Sequence, residues 1–106
     1  MSDLEDELAF QLKAAKIPFE REIRFHPKRR WRMDFVFPPH NLAMEVEGAV
    51  FVKGAHSTGV GITKDIEKGN AALLMGWKVL RATAAHVKSG QALEWVETML
   101  EKERKH

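Results

Sequence analysis

Three carboxylates set into strand-like sequence constrain this chain more than any other feature. They lie in the stretch RRWRMDFVFPPHNLAMEVEG, from Arg29 to Gly48, as Asp34, Glu45 and Glu47. Side chains alternate across a strand, so Glu45 and Glu47 share one face while Met44 and Val46 take the other. A carboxylate withdrawn from water is costly without a partner. Two arrangements meet that cost. The acids face solvent or pair with Arg21, Arg24 or Arg32, or they converge on a divalent cation. If the two strands pair as a hairpin, Asp34 lies beside Glu45, and their repulsion raises both pKa values unless a cation intervenes. Hard oxygen ligands in a chain with no cysteine favour Mg²⁺ or Mn²⁺ over Zn²⁺.

The remaining pattern supplies a frame for these strands. DLEDELAFQLKAAK carries Leu4, Leu8, Leu12 and Ala15 at helical spacing, and Pro18 ends it. FEREIRF alternates Phe19, Arg21, Ile23 and Phe25 against charged residues and reads as a strand. WRMDFVF and LAMEVEG are the next two strands, separated by Pro38-Pro39 and the turn at Asn41. After the glycine-rich stretch GAVFVKGAHSTGVGIT, a helix is predicted over TKDIEKGNAALLMGW. Thr63 is its expected cap, Ile62, Ile66 and Leu73 its shared apolar face, and Gly76 its stop. WKVLRAT is a fourth strand. SGQALEWVETMLEKERKH is a final helix with Ala92, Trp95, Val96, Met99 and Leu100 in register. The order α-β-β-β-α-β-α predicts an α/β fold in which a mixed four-stranded sheet is flanked by helices and followed by a C-terminal helix.

A chain of 106 residues without repeat or linker fits one domain, residues 1–106. No apolar run is long enough to span a bilayer, and the acidic amphipathic start is no secretory signal. A cytoplasmic location is the expectation. A net charge of +2 does not by itself demand nucleic acid, so the local distribution of charge decides.

The element order, an Asp in the second strand, E-x-E in the third, then a histidine and DIEKGNAALLMGWKVLR, together resemble the PD-(D/E)XK nuclease superfamily. The likeness is to its small phage and bacterial branch, related to DUF559 and the very-short-patch-repair endonucleases. It covers nearly the whole chain. It implies a restriction-endonuclease-like αβββαβ core and Mg²⁺-dependent hydrolysis of DNA phosphodiester bonds. Carried over, Asp34 and Glu45 match the metal-binding acids, with the Val46 backbone carbonyl as a further ligand. Glu47 stands where many members have a catalytic lysine. Lys68 or Lys64, one turn apart on the following helix, would then supply a displaced ammonium, and Lys68 fits the branch better. Glu7 is the candidate first-helix acid and Glu5 its competitor. His56 matches a histidine that could contact the scissile phosphate or protonate a leaving group.

The basic run HPKRRWR falls in the turn between the first two strands. Lys28, Arg29, Arg30, Arg32 and, further on, Lys64 are candidates to neutralise DNA phosphates. Trp31 either stacks on an unpaired base or packs at the strand start. The implied partner is DNA, as branched or nicked duplex, cut by a junction-resolvase-like or nicking enzyme with a possible homodimer. The opposing class is a non-catalytic nucleic-acid-binding module that keeps the nuclease fold.

Overall fold

Leu8 and Leu12, one helical turn apart, are fully buried on one side of α1 (Asp3–Ala14) and seat that helix on the sheet. The computed structural model describes residues 3–48 and 59–104. Strands β1 (Glu20–Arg24), β2 (Arg32–Val36) and β3 (Leu42–Glu47) form an antiparallel meander. Helix α2 (Gly59–Leu74) crosses over to β4 (Lys78–Thr83), which pairs parallel with β3, and the sheet order is β1-β2-β3-β4. Helices α3 (Ala84–Ser89) and α4 (Gln91–Arg104) complete the chain. The expected mixed sheet with flanking helices and a C-terminal helix is what forms.

The sheet separates two apolar layers. On one face Phe35, Phe37 and Met44 pack with Leu8, Leu12, Val87 and Val96 from α1, α3 and α4. On the other, Met33, Val36 and Ala43 meet Ala72 of α2, with Phe25 beside them. Met44 and Ala43 therefore face opposite ways, and Glu45 and Glu47 follow Ala43 to the α2 side.

Four expectations need correction. The strand alternation through Phe19, Arg21, Ile23 and Phe25 does not hold: Phe19 packs in the first layer, while Ile23 and Phe25 belong to the second. The switch occurs at Glu22, whose φ of 53° is left-handed and turns the following side chains over. Thr63 is not a cap, because α2 starts at Gly59 and takes in part of the glycine-rich stretch. Its sheet-facing row runs through Gly61, Lys68 and Ala72, and this packing overrides poor intrinsic propensity. The stripe of Ile62, Ile66 and Leu73 does share one face, but that face is exposed (44%, 56% and 68%) rather than core. Finally, the segment after β4 forms a separate short helix. Thr83 and His86 cap the start of α3, and Gly90, with φ 87°, ends it before α4.

Gly76 ends α2 as expected. Its φ is 92°, and the amides of Gly76 and Trp77 donate back to the carbonyls of Leu73 and Ala72, both at 3.0 Å. Among the described residues no helix is long and apolar enough to cross a membrane.

Candidate active site

The carboxylates meet where β2 and β3 come apart. Backbone pairing joins Phe35 to Met44 and Val36 to Ala43, and the next row would join Asp34 to Glu45. There the side chains replace the ladder. The Asp34 amide donates to Glu45 Oε2 at 2.9 Å, and the Val46 amide donates to Asp34 Oδ2 at 2.7 Å. Each acid is thus clamped by the other strand's backbone, which satisfies two amides the divergence would otherwise leave open.

These residues line a cleft of about 230 Å³ between the sheet edge and α2. Asp34, Glu45, Val46 and Glu47 form the sheet side, Asp65, Lys68 and Ala72 the helix side, and Arg81 of β4 the flank. The Lys68 ammonium bonds Glu45 Oε1. Arg81 Nε donates to Glu47 Oε2 at 3.2 Å. Loss of solvation is the main force raising the Asp34 and Glu45 carboxyls above their ordinary range. At Asp34, the Val46 amide and Lys68 oppose the rise, while Glu47 and Glu22 add repulsion. At Glu45, Lys68 and the Asp34 amide oppose it, and the Asp34 charge adds to it.

Two desolvated carboxylates with raised pKa values form a site short of positive charge. Among the described residues no three His, Cys, Asp or Glu are grouped to hold a metal. Two hard oxygen donors suit an ion that keeps several waters, as Mg²⁺ does, and not one that needs a full protein cage. The expected Mg²⁺ or Mn²⁺ fits this donor set. Val46 lines the cleft, and its amide is used by Asp34.

The other candidates fall in different places. Glu7 does not line the cleft. It shares a helical row with Gln11, whose Nε2 donates to the Val87 carbonyl of α3, so that row looks away from the acids. Glu5, the competitor, is the first-helix acid that feels Asp34. Its carboxyl is pushed up by desolvation and then by the Asp34 charge, against the pull of Arg21. Lys64 is exposed and outside the cleft lining. His56 lies outside the described residues, as does 49–58 of the glycine-rich stretch.

In the basic turn, the amides of Lys28 and Arg29 donate to His26 Nδ1 at 3.1 and 3.0 Å, which shapes the turn. Arg29 reaches Glu67 of α2 at 3.7 Å, and Arg32 pairs with Glu22 at 3.2 Å. Arg30 is exposed. Trp31 stacks on Phe25 with ring centres 6.2 Å apart, and the Arg29 guanidinium sits 4.2 Å from its ring centre. These contacts are the packing that the strand start offers Trp31.

Asp65 and Arg81 line the cleft, and Glu22 acts on Asp34, without a motif in the sequence that points to any of them. Asp65 and Lys68 are three residues apart on a helix, a spacing that puts both on one side. Arg81 is legible only once β4 is known to lie parallel beside β3.

The raised Asp34 pKa has a stability consequence. The folded state holds this proton more tightly than the unfolded chain. The stabilisation is complete below the ordinary value of 3.8 and is lost as pH rises through the folded value. Asp34→Asn is therefore expected to raise the melting temperature at neutral pH in EDTA by a few degrees. The gain should vanish below pH 3.8, as read by thermal melts at both pH values.

The layers and the cleft define an α/β sheet protein with an acidic, lysine-containing groove at the end of its β2–β3 pair. No family model and no curated protein matches the chain. Among solved structures, the fold is similar to the homing endonuclease I-Bth0305I catalytic domain, with a TM-score of 0.63 and 20% sequence identity. The similarity covers 96% of this chain and 93% of that one. At this identity the likeness shows a common fold.

Proposed function

We propose that this protein is a metal-dependent endonuclease that hydrolyses DNA phosphodiester bonds and selects its DNA by structure, as branched or nicked duplex. The observation that carries the reading is the reciprocal clamp of Asp34 and Glu45 in one cleft with Lys68. A binding module gains nothing from two desolvated carboxylates held where a phosphate must come, because they repel it. The fold shared with a homing endonuclease catalytic domain supports the same conclusion.

When bound, Mg²⁺ or Mn²⁺ supplies Lewis acidity at a phosphate oxygen and lowers the pKa of a water. Asp34 and Glu45 would hold it. Lys68 favours the ionised form of Glu45 and offsets charge growing on the phosphorane. A water oxygen forms the new bond to phosphorus as the bond to the 3′ oxygen breaks. Glu47 takes the water's proton, and the leaving oxygen takes one from solvent. The products carry 5′-phosphate and 3′-hydroxyl ends.

The test is a side-by-side cleavage panel of four-way junction, flap, nicked and linear duplex with Mg²⁺, alongside supercoiled plasmid. Preferential cutting of the branched or nicked forms is expected. Equal cutting of all forms removes the structural selectivity, and no cutting of any removes the nuclease. Symmetrical cutting of a junction takes two copies, so the proposal extends to a homodimer on DNA, read from the mass of the complex.

The basic turn sets affinity in this reading. Replacing Lys28, Arg29 and Arg30 together by Ala is expected to weaken DNA binding and reduce the salt slope by roughly two to three phosphate contacts. An unchanged slope in a salt titration places the DNA elsewhere.

A further inference from the structure

We propose that Arg81 grips the scissile phosphate and supplies, from β4, the positive charge that position 47 of β3 does not. The inference rests on the nuclease reading of the cleft and deepens it.

The placement follows from the sheet. β4 lies parallel to β3 with Arg81 opposite Glu45 and Thr83 opposite Glu47. In a parallel pair, residues at the same level project to the same face, so Arg81 joins Glu45 and Glu47. The layers agree: Val79 packs on the α2 side, and Leu80 and Ala82 pack on the other. Arg81 lines the cleft that holds the acids.

The two cations of the cleft are not equivalent. Lys68 is bonded to Glu45, and its side chain is 27% exposed. Its charge is shared with a clamped carboxylate. The Arg81 side chain is 62% exposed, and the hydrogen bond it makes within the described structure uses Nε. A guanidinium carries five N–H donors in a flat fork. Fixing it through Nε leaves donors on the two terminal nitrogens, and such a fork matches phosphate oxygens. Glu47 then acts as a positioning residue for Arg81 as well as an acid of the site. Glu47, Asp65 and Glu45 all favour the charged guanidinium, so the cation is held among acids until a phosphate arrives.

An exposed Arg–Glu pair adds little to stability. That separates the proposal from a purely structural role. The experiment compares wild type, Arg81→Lys and Arg81→Met in three measurements. These are single-turnover cleavage of supercoiled plasmid at saturating enzyme with Mg²⁺, salt dependence of binding to a short duplex with Ca²⁺, and thermal melting. Arg81→Met is expected to cut on the order of 100-fold more slowly and to lose about one phosphate contact from the salt slope. Arg81→Lys should recover part of the rate, and melting should stay nearly unchanged. Wild-type rate and slope in Arg81→Met overturn the proposal, as does a rate loss accompanied by a large drop in melting temperature. If wild type binds the duplex but cuts nothing, the nuclease reading falls while the salt slope still decides the Arg81 contact. If wild type neither binds nor cuts, both fall.

Discussion

Asp34→Asn and Glu45→Gln are each expected to slow single-turnover DNA cleavage by a factor on the order of 100 or more, about 3 kcal/mol in barrier, while DNA binding is nearly retained. Both substitutions keep shape. Asn can still accept from the Val46 amide, and Gln can still accept from the Asp34 amide, so the clamp between β2 and β3 survives. What is removed is the negative charge that would hold a divalent ion. The expected dissociation of effects is sharp. Asp34→Asn should melt higher than wild type without metal, yet lose the rise in melting temperature that Mg²⁺ is expected to give wild type. Wild-type cleavage in either variant, or an undiminished Mg²⁺ effect on melting, would remove these two residues from the metal site.

Lys68→Met is expected to slow the chemical step strongly with folding and DNA affinity little changed. Lys68 is the one cation in contact with a clamped acid of the cleft among the described residues, and it comes from α2, not from the strand. Met keeps most of the stem beside Ala72, so helix packing should hold. Losing the ammonium leaves Glu45 without its main counter-charge. Burial is then opposed only by the Asp34 amide, and a larger share of that carboxyl is protonated at a given pH. The pH–rate profile of Lys68→Met should therefore move its acid limb upward, a shift that lost packing would not produce. Lys64→Met should act mildly and through affinity, since Lys64 lies outside the cleft lining. Equal rates for Lys68→Met and wild type at saturating enzyme would end the displaced-lysine role and leave Arg81 as the cleft's working cation.

The sequence by itself determined every element but the short α3, and their order, because hydrophobic spacing is local. Leu8 and Leu12 on α1, Ala92 and Val96 on α4, and Gly76 at the end of α2 follow from period and from one residue's freedom at positive φ. It also determined that Glu45 and Glu47 share a face, since strand alternation needs no partner. The tertiary structure decided the rest. Whether Asp34 reaches Glu45 depends on the β2–β3 register and on the ladder opening at that row. Arg81 enters the site only because β4 pairs parallel to β3, 36 residues after Glu45. Glu5 rather than Glu7 couples to Asp34 because Gln11 turns its row of α1 toward α3. The left-handed Glu22, which moves Ile23 and Phe25 to the opposite layer, interrupts an alternation that otherwise reads cleanly. Ile62, Ile66 and Leu73 carry the helical period of a core stripe, yet α2 turns Ala72 and Lys68 inward instead. Periodicity fixes which side chains lie together on an element; only packing between distant segments fixes which side faces the sheet, and the cleft is made of such packing.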